Sequence, residues 1–386
     1  MTKKVLMLAA KANMIQQFNH RNIKILQGLG YEVHVATNMV DFGSMSTEEN
    51  ERFKRWMDNN QVVAHQVDFE RRMGTLVSNI KALSQLNRLF KAYTFQFVHV
   101  HSPLGGILGR IIAKLHKVPS VYTAHGFHFF QGGPKSGWLL FFPLEWIFSF
   151  ITDTLITINN EDYRLAKKYM HARKIIKIHG VGVDVIKASQ VSANEKKEAR
   201  KRIRRSLGIS EQDFVILSIG ELSDRKNHKI VLEALQQLAR NQRSNIYYLI
   251  AGTGPNKNLL VNEAKKFGFE NNFKLLGYRS DIHDLNYASD LFIFPSLREG
   301  LGIAGLDAAV DGTYVIGTNK GGVSEYIANG VNGMLFDPRN DVFLKHLILE
   351  RINNHQIVEI PEFLQKFDKN NIDQIMREAY EEMKNV

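Results

Sequence analysis

Cysteine is absent from all 386 residues. That excludes a disulfide framework, a thiolate metal site, a cysteine nucleophile and a redox dithiol, and it fits a reducing compartment. No apolar run is long enough to cross a bilayer. The longest, Trp138 to Ile151, is interrupted by Pro143 and Glu145 and falls short of the roughly 20 residues a spanning helix needs. The N-terminal run from Val5 to Ala10 ends at Lys11, below the roughly 7–15 apolar residues of a signal-peptide core. It reads as a buried first strand. An Asp-x-Asp metal motif is missing, and His99, His101 and His128 do not form a recognised metal spacing.

What remains is the composition of an ordinary globular chain, 44% hydrophobic and 23% charged. At about 150 residues per domain, two domains are the simplest division. The net charge of +11 is unevenly placed: residues 1–186 hold 23 Lys/Arg against 13 Asp/Glu, and the rest hold 27 against 26. A field of that size draws in nucleic acid, acidic lipid headgroups or phosphorylated substrates. Nucleic acid is the weakest of these, because no module motif is present and no aromatics interleave with the basic cluster at 196–205.

The first half alternates continuous apolar strands, KVLMLAA, YEVHVATN, FQFVHVHSP, SVYTAHG and TLITIN, with helix-period stretches such as Asn22 to Leu29 and Leu76 to Tyr93. That alternation predicts a parallel sheet covered on both faces. The polar, basic stretch from Lys187 to Ser206 reads as a linker and the first helix of a second domain. Its Arg/Lys cluster is either a solvated face or an anion site. The alternation then restarts with FVILSIG, YYLIAGTG, NFKLLGY, DLFIFPS and TYVIGTN. Two doubly wound α/β domains are expected, 1–186 and 187–366, with 367–386 as a C-terminal helix. Ligands in such sheets bind beyond the carboxyl ends of the strands.

The chemistry concentrates in FPSLREGLGIAGLDAAVDGTYVIGTNKGGVSEYIANGVNGMLF. Glu299 leaves a strand on a glycine loop, and Asp307 follows on the next helix. Ionised carboxylates only accept hydrogen bonds, so such a pair suits the hydroxyls of an extended polyol, a sugar and a ribose. Gly321 and Gly322 separate a strand from a helix and would offer backbone N–H groups to a phosphate; a tight turn capped by Ser324 is the plainer alternative. A second glycine loop, Gly252 to Gly254, lacks the full dinucleotide fingerprint. His125 follows a strand as an active-site or a structural histidine, His99, His101 and His128 read as structural, and Arg71 and Arg72 contact an anionic acceptor or only solvent.

With these motifs in hand, the chain resembles glycosyltransferase family 4, the retaining GT-B enzymes that use nucleotide sugars, and most of all its bacterial capsule and exopolysaccharide branch. The resemblance covers almost the whole chain. It rests on REGLGIAGLDAA, NKGGVSEYI and NGVNGMLF, with SIGELSDRKNH as the donor-phosphate segment and HVHSPLGGILGRIIAKLHKVPSVYTAHGFHF in the first domain. It implies two facing Rossmann-like domains, the first for the acceptor and the second for the donor, with the final helix crossing back to the first. Glu299, with the backbone of Gly300, Leu301 and Gly302, would hold donor-sugar hydroxyls, and Asp307 the ribose. Lys226 would neutralise the diphosphate, which Gly321, Gly322 and the loop at Gly254 would also meet, and His125 would stand near the transferred sugar.

The chain departs from the family pattern twice. Asp307 replaces the usual Glu, one methylene shorter. Glu221 stands where Arg often follows the glycine of the phosphate segment, so either Glu221 points away or Arg225 supplies the charge. The resemblance further implies a UDP-sugar donor; the missing Asp-x-Asp motif leads us to expect no metal or other cofactor, and the basic first half with its aromatic segment suggests a polyprenyl-diphosphate-linked saccharide acceptor and a cytoplasmic protein lying on the inner face of the membrane. The aromatic segment WLLFFPLEWIFSFI would be a buried helix or, in part, the membrane contact. The alternatives are a non-catalytic nucleotide-sugar-binding partner with a degenerate site, and the same chemistry on a soluble acceptor.

Overall fold

The computed structural model describes residues 2–70, 73–101, 103–130, 132–239, 242, 244–354, 358 and 360–385. Arg71 and Arg72 lie outside the described residues. The chain forms two units, Met1–Val181 with Asn370–Val386, and Gly182–Lys369. These limits differ by a few residues from the expected 186/187 and 366/367, and the cause is local. Val183 N–H donates to Phe367 O at 2.9 Å and Lys369 N–H to Val183 O at 2.8 Å, so both crossing segments are stitched into the second unit.

The first unit is built on a seven-stranded parallel sheet: β1 (Lys3–Lys11), β2 (Tyr31–Asn38), β3 (Val63–Gln66), β4 (Phe95–His101), β5 (Ser120–Ala124), β6 (Thr154–Thr157) and β7 (Lys174–Lys177), in the order 3-2-1-4-5-6-7. β1 and β4 are covered on both faces, which is why they read as unbroken apolar runs. The C-terminal helix Lys369–Glu382 adds Ile372, Met376 and Tyr380 to one of the two apolar layers on this sheet. Full burial of an aliphatic side chain is worth about 1.5–3 kcal/mol, enough to hold a helix with so polar an outer face.

The second unit has six parallel strands: β8 (Phe214–Ile219), β9 (Ile246–Ala251), β10 (Phe273–Gly277), β11 (Leu291–Phe294), β12 (Val315–Thr318) and β13 (Gly333–Phe336), in the order 10-9-8-11-12-13. Strand order reverses between β8 and β11. The loops leaving those two neighbours therefore open side by side, where doubly wound sheets take their ligands.

The basic cluster at 196–205 is divided: Lys197, Lys201, Arg202 and Arg205 form the expected solvated face, while Arg200 and Arg204 turn inward. It rides on the helix Ala193–Leu207, where Arg204 is buried and gives Asp290 Oδ2 a 2.7 Å hydrogen bond, while Arg200 takes Oδ1 at 2.7 Å. Asp290, just before β11, thus anchors that helix to the sheet.

The aromatic segment forms the helix Lys135–Ser149, and only one of its faces is buried. Trp138, Phe141, Phe142 and Phe148 pack on the sheet, whereas Leu139, Leu140, Trp146, Ile147 and Phe150 form an exposed stripe. Glu145 lies on the inner side, where it accepts from Arg110 Nη2 at 3.2 Å and from the Tyr122 hydroxyl at 2.7 Å. Arg110 is itself buried, its guanidinium 4.0 Å from the Tyr122 ring centroid. The buried pair fixes which way the helix faces. Among the described residues no helix is long and apolar enough to cross a membrane.

Removing one partner of a buried ion pair strands the other charge, so Glu145→Ala should lower unfolding free energy by about 3–5 kcal/mol. Chemical denaturation measures this directly. A loss below about 1 kcal/mol, the surface-pair range, would mean that the pair does not orient the helix.

Candidate functional site

In the second unit the loops after β8 and β11 bring three expected residues together. Glu299 Oε1 lies 2.7 Å from Arg225 Nη1 and 2.8 Å from Lys226 Nζ. The Glu299 and Lys226 side chains are 11% and 13% exposed, while Arg225 is 53% exposed. Lys226 is therefore enclosed with the carboxylate, and Arg225 covers it from outside. The Lys226 ammonium also sits 4.9 Å from the Phe294 ring centroid, within cation–π range.

The backbone explains why these side chains meet. Asp224–Lys226 is one 3₁₀ turn closed by Asn227 at φ 54°, and Asn227 Nδ2 donates to Pro295 O at 3.2 Å and Pro338 O at 2.8 Å. Leu297 N–H donates to Arg225 O at 2.9 Å. Asparagine tolerates the left-handed conformation and supplies the tie. Gly254 belongs to the loop after β9, which brackets the same segment: Leu222 N–H donates to Thr253 O, and Asn256 N–H to Leu222 O, both at 2.9 Å. Glu221 is exposed and has no hydrogen bond or ion pair with the cluster.

Gly302 caps the helix Ile303–Val310 at φ 82°, and a Cβ there would lie 2.5 Å from the Phe294 ring. Leu301 is buried in the core, so only its backbone is available to a ligand. Gly321, at φ 70°, forms a bridge with Glu299, and a Cβ would meet the Glu299 carbonyl at 2.0 Å. Only glycine permits both the angle and the approach. The expected helix after Gly321 and Gly322 is absent: Gly322–Glu325 is a single 3₁₀ turn, and Gly322 N–H is already spent on Glu299 O at 3.2 Å. These glycines fit the backbone of Glu299 rather than opening an α-helical N-terminus.

Asp307 is the fifth residue of its helix, little more than one turn in. It is half-buried by surface area yet densely surrounded, and desolvation pushes its carboxyl up to about 7; His283 opposes this and Asp311 adds to it. Asp311 is buried and receives His283 Nδ1 at 2.8 Å and Asn286 Nδ2 at 2.7 Å. The buried Tyr326 hydroxyl donates to Gly302 O at 3.1 Å; burial raises its pKa well above the usual value, and the charges of Glu299 and Asp307 add to this. Tyr326 thus packs its hydroxyl against the start of the helix that carries Asp307. Neither it nor Asn227 stood out in the sequence, although both fall inside quoted motifs.

In the first unit His125 follows β5. Its Nε2 lies 3.1 Å from His101 Nδ1 at the end of β4, and burial lowers its pKa to about 4, so it is neutral at pH 7. His99 bonds Tyr380 and Thr123, each at 2.8 Å. His128 stacks on Phe141 with ring centroids 4.5 Å apart, a structural contact.

Two family descriptions match the chain: Glycosyl transferase 4-like over residues 4–160 and Glycosyl transferases group 1 over residues 199–374. The EpsD protein of Bacillus subtilis (strain 168), named a glycosyltransferase, is 33% identical over 340 residues, 87% of this chain and 84% of its own length. An Escherichia coli UDP-Gal:alpha-D-GlcNAc-diphosphoundecaprenol alpha-1,3-galactosyltransferase is 33% identical over 292 residues, 74% of this chain and 73% of its own. In fold, the crystal structure of Anabaena HepE in complex with UDP and glucose aligns with a TM-score of 0.76 at 19% identity, covering 99% of this chain and 100% of that one.

Asp307 yields a pH-dependent expectation. A carboxyl whose pKa is raised on folding destabilises the protein, fully above about 7 and not at all once pH falls below the ordinary carboxylate range. Asp307→Asn should therefore raise the melting temperature of the ligand-free protein at pH 8, by an amount that shrinks steadily toward pH 4. A shift that did not change with pH would contradict the assigned environment.

Proposed function

Because this chain belongs to the 4-like, group 1 glycosyl transferases, with the fold of the GT-B enzymes, we propose that it moves a hexose or N-acetylhexosamine from a UDP-linked donor to a saccharide on a polyprenyl diphosphate. The setting is bacterial capsule or exopolysaccharide assembly, at the cytoplasmic face of the membrane. The observation that carries the reading is the Glu299–Lys226–Arg225 cluster at the switch point of the second sheet. The lipid-linked acceptor and the UDP donor are supported by the name of the Escherichia coli relative, and UDP also by the HepE complex.

The chemistry follows from where charge develops. Breaking the bond between the anomeric carbon and the phosphate oxygen leaves negative charge on the nucleoside diphosphate and positive charge on the sugar ring. Lys226 and Arg225 stabilise the first, and a fixed cation aimed at developing charge needs no reorganisation at the moment of reaction. Glu299, freed of part of its ion pairing as the diphosphate takes up the cations, accepts from sugar hydroxyls, and Asp307 accepts from the ribose. The acceptor oxygen attacks the anomeric carbon on the face the phosphate leaves, and its proton passes to the departing phosphate oxygen. Retention then needs no protein nucleophile, unlike in retaining glycosidases. With two cationic side chains at the leaving group, no divalent metal is required.

The membrane part of the reading is supported by the exposed stripe at Leu139, Leu140, Trp146, Ile147 and Phe150. A helix that is apolar on both faces has a second surface to cover. The basic excess of the first half suits an anionic leaflet at about 1 kcal/mol per basic residue near the surface.

Two experiments test this. The purified protein, given UDP-hexoses and UDP-N-acetylhexosamines with a polyprenyl-diphosphate monosaccharide in EDTA, should form an α-linked product, read from the anomeric proton coupling. Inversion, or a requirement for added divalent cation, would contradict the mechanism; UDP binding without transfer to any acceptor would favour a non-catalytic partner. In sedimentation with vesicles containing anionic lipid, Leu140→Ser with Ile147→Ser should remove most of the bound fraction. Equal binding by wild type and variant would move the membrane contact elsewhere.

A further inference from the structure

We infer that His101 is a positioning residue for His125: its Nδ1–H donates to His125 Nε2 and so fixes His125 as the Nδ1–H tautomer, a hydrogen-bond donor toward the transferred group. The functional half of this rests on the reading that His125 stands near the donor sugar; the tautomer does not.

β4 and β5 are parallel neighbours, and His101 lies opposite Thr123, two residues before His125 and on the same face of the strand. That brings the rings to a centroid separation of 5.4 Å, with Nδ1 of His101 3.1 Å from Nε2 of His125. His101 is buried, its ring 4.1 Å from that of His99. Burial and the adjacent imidazoles push its pKa far down, so both members of the pair are neutral. Each ring then carries one proton, and only two arrangements remain.

In the first arrangement His101 Nδ1–H donates, His125 Nε2 accepts, and His125 keeps its proton on Nδ1. In the second, His125 Nε2–H donates and the His101 proton is forced onto Nε2. His101 Nε2 is buried without a hydrogen-bond partner. The second arrangement would therefore bury an orphaned N–H donor, while the first leaves only a bare acceptor nitrogen. Orphaned buried N–H groups are the rarer case, which selects the first arrangement.

Two consequences follow. His125 Nδ1, which no described residue engages, becomes the ring position that carries the proton. The choice also runs against the usual Nε2–H preference of a free histidine, so it has to be imposed by the neighbour. His99 holds His101 in place from behind, fixed at Nδ1 by Tyr380 and at Nε2 by Thr123. The C-terminal helix thereby reaches the site through one hydrogen bond.

The test is long-range ¹H–¹⁵N correlation spectroscopy of the full-length protein with labelled histidine, the His125 signals assigned by their loss in His125→Gln. Wild type should show His125 as the Nδ1–H tautomer; an Nε2–H tautomer overturns the inference without any variant at position 101. His101→Leu should move His125 toward Nε2–H, and His101→Asn, which keeps a donor near the Nδ1 position, should restore Nδ1–H. With UDP-sugar and acceptor, His101→Leu should lower kcat by up to roughly a hundredfold, the lower end of the cost of removing an aligned donor outright, with UDP affinity unchanged and partial recovery in His101→Asn. A tautomer that shifts while kcat stays constant would overturn the placement of His125 at the transferred group. A kcat that falls equally in both variants, with the tautomer unmoved, would mark His101 as structural only.

Discussion

A carboxylate that is almost nine-tenths removed from water, as Glu299 is, is costly to bury unless cations are built around it. Lys226 at 2.8 Å and Arg225 at 2.7 Å meet that demand, and much of the second unit is arranged to deliver them. The cations come from the loop after β8 and the carboxylate from the loop after β11, so those strands must be neighbours although they are not consecutive. Asn227 holds the cationic loop in place by reaching across to Pro295 and Pro338. Gly321 leaves room for the Glu299 carbonyl, and Gly302 starts the helix that carries Asp307.

The same cluster explains how a site poised for an anion stays folded without one. In the ligand-free state Lys226 and Arg225 pair with Glu299; in the proposed reaction a diphosphate would compete for them and release the carboxylate toward hydroxyl groups. In that proposal, binding of the phosphate and of the sugar would be coupled through the same two side chains. Arg225, half exposed, would give up less on leaving Glu299 than the enclosed Lys226. Asp307 contributes the opposite economy: its carboxyl is held ready to ionise near neutral pH, a state that costs stability until hydroxyl donors arrive.

Much of this was legible in the sequence because buried parallel strands write themselves as apolar runs. Tyr31–Asn38 is the strand YEVHVATN to the residue; Glu299 stood out on its glycine loop, while Lys226 and Arg225 followed only from the family resemblance. The parts that were not legible share a cause. β3 and β7 are four-residue edge strands, half exposed, so they lack an apolar signature. The helix Thr47–Asn59 announced itself only through the capping box of Ser46 and Glu49, a signal easily passed over beside long hydrophobic runs. The α-helix expected after Gly322 is a single 3₁₀ turn, Gly322–Glu325, and nothing in the local sequence announced so early a stop. The Arg200 and Arg204 side chains looked like surface charge until Asp290, 86 residues beyond Arg204, supplied their partner. Pairings of that kind depend on the fold and leave no mark in local sequence.

The central claim is that the Glu299 cluster is a metal-independent site for a nucleoside diphosphate. Calorimetric titration of UDP into the full chain in EDTA, alongside GDP and ADP and repeated with Lys226→Ala, tests it most directly. Binding of UDP without metal, weakened in the variant by about 2 kcal/mol or more as expected when one member of an enclosed charge pair is truncated, would bear the claim out. Absence of binding by all three nucleotides, or UDP affinity indifferent to Lys226, would contradict it.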